Sequence, residues 1–296
     1  MRIKHYMLLT VASLFIHGGC GQDAAKLKLA GQALARRAAQ AAEGVTPLDP
    51  AWDKMPFYTA AMQLQDVTQP TLTTPGVAGI DVRGLYDDRW LVLRLDWIDS
   101  TVDTTAAPAR FSDAVAVEFP TQPGSNVPDA NMGQTGGSVH IVQWKADRQQ
   151  KMSRTAEGTK ALYPYSAIDF YVEDVPPEGP AREQMAQQYS PAIGVGNPAS
   201  MHTSPVQAFV AEGFGTLTAV NEPEVRGQGT WQAGRWYVTI GIKLPAATAM
   251  TPFQVGQRTF MALAVWDGSA GNVGSRKMRT TWIPFMMEAP VTKAGL

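Results

Sequence analysis

The chain has 296 residues, 45% of them hydrophobic, with 27 glycines, 21 prolines and a formal charge of −1. That supplies a core for one large β domain or two small ones, and low charge with abundant Gly and Pro favours short strands and turns over a helical bundle. It offers no basic stripe of the kind nucleic acid demands. With a single cysteine, Cys20, the chain cannot carry a CxxCH haem attachment, an iron–sulfur cluster or a cysteine-rich zinc site. No GxSxG, P-loop or GxGxxG signature occurs.

Residues 1–19 read as an export signal. Arg2 and Lys4 precede an apolar run from Met7 to Ile16, which is too short to span a bilayer. Gly18 and Gly19 then lead into Cys20, which resembles a bacterial lipobox except that His17 stands where an aliphatic residue is usual. The expectation is a protein lipid-anchored through Cys20 on the periplasmic side of a bacterial membrane, or exported and soluble if the thiol stays unmodified. Removing the signal leaves 23 basic against 26 acidic residues, or −3, and only His140 and His202 of the four histidines. A three-histidine zinc site is therefore excluded.

Residues 20–50 are rich in Ala and carry Lys26, Lys28, Arg36 and Arg37. They suit a helical tether, ending at Pro47 and Pro50, before a folded domain over 51–290. Val82–Tyr86 and Trp90–Trp97 flank Asp87-Asp88-Arg89 and predict a hairpin. Further strands are predicted at Ala114–Phe119, Val139–Lys145, Phe209–Ala211, Gly229–Trp231, Arg235–Ile242, Phe260–Trp266 and Thr280–Met287. Gln232-Ala233-Gly234 makes a second hairpin turn. Many short strands separated by turns predict an antiparallel, immunoglobulin-like β-sandwich with little helix. Residues 121–137 are turn-rich, and 174–205 form a Pro-rich insertion in which Ala181–Tyr189 could be a short helix.

Several blocks then stand in a telling order. Leu95-Asp96-Trp97-Ile98-Asp99-Ser100-Thr101 follows the first hairpin, and Asp113–Pro120 leads into Met132-Gly133 and Val142-Gln143-Trp144-Lys145. Gly234-Arg235-Trp236 and Ala264-Val265-Trp266-Asp267-Gly268 come next, then Lys277 and Trp282. The ordered set, covering about residues 52–288, resembles the haem b-binding gamma subunits of ethylbenzene dehydrogenase, dimethylsulfide dehydrogenase, and chlorate and selenate reductases. The resemblance implies a sandwich holding one non-covalent b haem with a methionine and a lysine as axial ligands, which fall on Met132 and Lys277. It implies an electron-transfer subunit without catalytic chemistry of its own, partnered by a molybdopterin catalytic subunit and an iron–sulfur subunit, and passing electrons to or from a soluble or membrane carrier. The Pro-rich insertion, which is longer than the family norm, and the lipoprotein-type signal depart from that pattern.

The implied chemistry is sound. A thioether is a soft donor suited to ferrous iron. An amine ligates only when neutral, so the lysine must lie where burial or metal competition lowers its pKa. Trp97, Phe119, Trp144, Trp266 and Trp282 could wall the haem, and Arg276 and Arg279 could meet its propionates. On residue type alone, Met132 could be gap-filling, Lys277 part of a solvated turn, the tryptophans plain core, and His140 or His202 a ligand instead. The competing functional reading is a carbohydrate- or ligand-binding sandwich module with Trp231 or Trp236 as a stacking platform. A hydrolase reading is weaker, because no triad can be assembled.

Overall fold

The computed structural model describes residues 28–122, 127–153, 204–220, 225–244 and 253–290, with isolated positions between 165 and 195. The signal segment, Cys20, His202 and most of the 174–205 insertion, with most of its expected helix, lie outside the described residues. The elements in chain order are β1 (Lys28–Leu29), β2 (Ala33–Arg37), β3 (Phe57–Ala61), β4 (Gln63–Leu64), β5 (Gly79–Tyr86), β6 (Trp90–Ile98), β7 (Ala114–Pro120), β8 (Val139–Lys145), helix α1 (Ala146–Ser153), β9 (Val206–Ala211), β10 (Thr218–Val220), β11 (Val225–Gln232), β12 (Arg235–Lys243), β13 (Arg258–Trp266), β14 (Met278–Arg279) and β15 (Ile283–Met287).

Eleven of the described strands form one path, β10-β9-β8-β7-β13-β15-β2-β5-β6-β12-β11, with β1, β3, β4 and β14 off it, and the path folds over so that β11 and β12 pack on β8 and β9. This is the expected all-β sandwich. The fold turns at β13. Its first half, Arg258–Met261, pairs with β15, and its second half, Ala262–Trp266, pairs with β7. Pairing is antiparallel except at β1–β3, β2–β5 and β15–β2.

β6 is apolar along most of its length because both its faces are covered. Leu91, Leu93, Leu95 and Trp97 point into the sandwich, while Trp90 and Val92 pack under Trp52 and Val45. Between the layers, Trp236 stacks on Trp97 (centroids 6.4 Å apart) and meets Trp144 edge-on (5.0 Å). Such pairs add roughly 0.5–1.5 kcal/mol to the area they bury. Gly227 and Gly229 on β11 admit Val206 and the Trp144 ring from the opposite layer.

The helical tether is corrected where it can be seen. Ala33–Arg37 is a strand inside the sheet, between β15 and β5, so the folded unit includes residues well before 51. Alanine is the strongest helix former, but propensity is a small bias that tertiary burial overrides. Ala33 and Ala35 are fully buried, and Ala35 fits because Gly84 opposite has no side chain: a Cβ there would lie 2.7 Å from the Ala35 Cβ.

Candidate functional site

Period-2 alternation sorts the side chains of β7, β8 and β13 onto two faces. Val115, Val117 and Phe119 enter the sandwich core, as do Val142 and Trp144. The opposite face carries Ala114, Ala116 and Glu118 on β7, Ile141, Gln143 and Lys145 on β8, and Ala262, Ala264 and Trp266 on β13. Their register is tight: Glu118 lies beside Ile141 and Ala262, and Ala116 beside Gln143 and Ala264. Four alanines thus make a low, flat floor where larger residues would fill the space. Loops around 65–68, 106–112, 130–132, 214–217 and 272–279 roof it, enclosing a cavity of about 600 Å³, well within the range of small-molecule and cofactor sites.

Met132 and Lys277, far apart in sequence, both line this cavity. Met132 occupies the left-handed region with φ +72, followed by Gly133 at φ +73. A non-glycine side chain at positive φ costs of order 1 kcal/mol or more and clusters at functional sites. The turn is fixed by Asp129, whose carboxylate accepts from Asn131 N and whose carbonyl accepts from Gly133 N. Gly213 N donates to the Met132 carbonyl.

Lys277 precedes β14, and its Nζ stands 5.1 Å from the centre of the Trp266 ring. Burial lowers its pKa, opposed by the charge of Glu118 and assisted by Arg279. Gln65, almost wholly buried, clamps the adjoining backbone. Its N–H donates to the Lys277 carbonyl (3.1 Å) and its Nε2 to the Ser275 carbonyl (3.0 Å). Lys145 also lines the cavity but is paired with Asp147 at 3.4 Å. Arg279 reaches the cavity and holds Asp66 at 3.2 Å, while its Nε and that of Arg276 are buried without a hydrogen-bond partner. Arg276 sits with its guanidinium 5.9 Å from the Phe111 ring.

Other expected wall residues are placed elsewhere. Trp97, Phe119 and Trp144 belong to the core between the layers, on the wrong face of their strands. Trp282 packs in the apolar cluster behind Met132, and its indole donates to the Pro128 carbonyl, bracing the turn without lining the cavity. Of the five aromatics, Trp266 alone lines it. His140 pairs with Phe119 across β7–β8 and is fully buried on the core face. Trp236 is buried, and Trp231 packs on the core with its indole donating to the Asp99 carbonyl, so neither is an open stacking platform.

Sequence reasoning passed over Glu118. It shares the phase of Ala114 and Ala116, and that alternation was the available signal. Burial pushes its carboxyl up to about 8, against the opposing pull of Lys277 and of a hydrogen bond from the Met132 backbone N–H, with Asp129 adding a small upward push.

The Trp-Asp-Gly turn after β13 is a structural brace at one end of the cavity. Asp113 accepts from Gly268 N and Asp103 N (both 2.8 Å) and from the Trp236 indole (3.0 Å). Burial, despite these donors, pushes Asp113 up to about 7, and the charge of Asp99 adds to the shift. A carboxyl raised on folding contributes stability that is present below its unfolded value near 4 and lost as pH rises through about 7. Asp113→Asn removes one acceptor and should be the less stable protein at pH 5, with the gap to wild type narrowing towards pH 8. Paired denaturant titrations at the two pH values check this, and a gap that widens towards pH 8 would contradict it.

The sequence profile of the family described as Ethylbenzene dehydrogenase matches residues 49–278. The chain belongs to that family. It is also 22% identical over 241 residues, 81% of this chain and 67% of the other, to a Haloferax mediterranei protein named "Putative respiratory nitrate reductase heme subunit ORF7". Solved structures of a family 9 carbohydrate-binding module from Caldicellulosiruptor kristjanssonii, with cellotriose or glucose, align at 8% identity. Their TM-scores are 0.39 and 0.35, over 89% and 90% of this chain and 97% and 100% of theirs. Likeness at that level carries no weight for function.

Proposed function

We propose that the cavity binds one b-type haem, with Met132 and Lys277 as axial ligands, and that the protein is the electron-transfer subunit of an oxidoreductase complex. The observation that carries the proposal is the convergence of these two donors on one cavity with a flat alanine floor. Family membership and the name of the Haloferax relative support it. So do three features of the residues themselves. Met132 holds an unfavourable backbone angle that gap-filling would not require. Burial drives Lys277 towards the neutral amine that metal binding needs. Arg279, which lines the cavity and has a buried, unpartnered Nε, suits an acidic side group.

A haem held there would supply a reversible one-electron couple. The chain's own residues bind and orient it: the alanines set the depth, Trp266 forms an end wall, and Gln65 fixes the lysine's backbone. The chain itself performs no bond-making chemistry. Its partners in this proposal are a molybdopterin catalytic subunit and an iron–sulfur subunit, with a further carrier at the other end of the electron path. Export, with Cys20 lipidated on the periplasmic side of a bacterial membrane, completes the proposal.

The test is the visible spectrum of the full chain, produced with haem available, before and after dithionite. A low-spin spectrum of b type, one haem per chain, is the expected result. A well-folded, colourless protein that takes up no added haem would refute the reading and restore the ligand-binding module.

A further inference from the structure

Resting on the haem reading, a second requirement of the site concerns what the lysine does with its remaining hydrogens. A primary amine that turns its lone pair to a metal keeps two N–H bonds, and coordination polarises them. Ligands of this kind are held by acceptors outside the coordination sphere, which fix orientation and raise donor strength. The cavity around Lys277 offers few. Its floor is Ala114, Ala116, Ala262 and Ala264, with Ile141 and Phe209 beside them. Gln65 is already committed: Nε2 donates to Thr68 O and Ser275 O, and Oε1 accepts from Val67 N and Thr68 N.

Glu118 is different. It rises from the floor strand between Ile141 and Ala262, is 8% exposed, and lines the same cavity as both donors. Its carboxylate accepts from the Met132 backbone N–H, yet Oε1 is buried with no hydrogen-bond partner. A buried carboxylate oxygen left unpaired costs of order 1–3 kcal/mol or more, so its retention beside two donors asks for a reason. Glu118 and Lys277 also perturb one another electrostatically, each pulling the other towards its charged form.

We propose that Glu118 is a positioning residue for the metal centre: it anchors the Met132 turn through that residue's N–H and offers its free oxygen to the N–H groups of coordinated Lys277. One side chain then ties the two ligands, which arrive on separate loops, to a single point on the sheet. The bland alternative is a buried carboxylate that merely staples the 129–133 turn.

Glu118→Gln separates the two, because it keeps the side chain's shape while replacing one carboxylate oxygen with a donor. The expected result is a haem protein with a high-spin fraction absent from wild type, haem affinity down by about 10- to 100-fold, and a shifted midpoint potential. The haem-free variant should melt no lower than wild type, since burial already holds this carboxyl towards its neutral form and the amide oxygen can still accept from the Met132 N–H. A staple alone predicts that the bound haem remains fully low-spin with unchanged affinity and potential, because the amide oxygen keeps the bond from the Met132 N–H. Should Glu118→Gln fail to accumulate, Glu118→Ala is compared in the wild-type and Lys277→Ala backgrounds. Its effect on haem affinity must shrink when Lys277 is absent, and equal effects in both backgrounds overturn the proposal. Wild type that binds no haem overturns the underlying reading as well, whereas a low-spin wild type with an indistinguishable Glu118→Gln overturns this inference alone.

Discussion

Lys277→Ala is expected to convert the bound haem from low-spin to high-spin and to weaken its retention by on the order of 100-fold or more. Loss of a group that merely supports a ligand already costs 10- to 100-fold, so loss of the ligand should cost at least as much. The size of the effect follows from the site. Lys145, the other amine in the cavity, is paired with Asp147, and His140, the one histidine among the described residues, faces the core. Met132→Ala should give the same spectroscopic change with a lower midpoint potential, because the thioether favours the ferrous state. A useful control is Lys145→Ala, which should leave the spectrum low-spin. A high-spin spectrum from Lys145→Ala, with Lys277→Ala unaffected, would exchange the roles of the two lysines.

The second large effect concerns the closure of the sandwich. Gly229→Ala would place a Cβ 2.7 Å from Trp144 Cε2 and 2.8 Å from Cη2, and the Trp144 ring has little freedom to retreat. It is fully buried, meets Trp236 edge-on, and donates from Nε1 to Gln149 Oε1 at 2.9 Å. Gln149 also bonds both the N–H and the C=O of Gly229, at 2.7 and 2.8 Å, so the strand cannot slide away without losing those bonds. Overpacking of this kind costs about 3 kcal/mol, a fall in Tm of roughly 6–12 °C for a domain of this size. Thermal melts check it. Trp144→Phe in the same chain should recover part of the loss by removing the fused ring. A Gly229→Ala protein that melts with wild type would mean that the layers part more easily than their packing indicates.

Much of this architecture could be read from the residues. The β5–β6 hairpin was legible because alternating and continuous apolar runs flank Asp87, whose carboxylate accepts from Arg89 N and Trp90 N in the turn. β2 was not legible: its alanines suit a helix, and only contact with Gly84 and β15, distant in sequence, makes them a strand. The pairing of Met132 with Lys277 came from family resemblance, and nothing local in either loop announces it. The wall residues were misplaced for a simpler reason. Phe119 shares the phase of Val115 and Val117, and Trp144 that of Val142, so alternation already put them on the core face, opposite Glu118 and Gln143. Large aromatic character was given more weight than strand phase, and phase decided the outcome.

The turn at β13 has a consequence for assembly. The floor of the cavity needs the second half of β13, the layer beneath it needs the first half, and that half is secured by β15, which in turn pairs with β2. Strands from opposite ends of the described chain therefore close the same sheet, and a nascent chain still missing β13–β15 has neither a finished floor nor Lys277. Loading of any occupant must wait until the polypeptide is whole. If the chain is exported unfolded, in line with the export proposed above, insertion then belongs to the far side of the membrane, after translocation has ended.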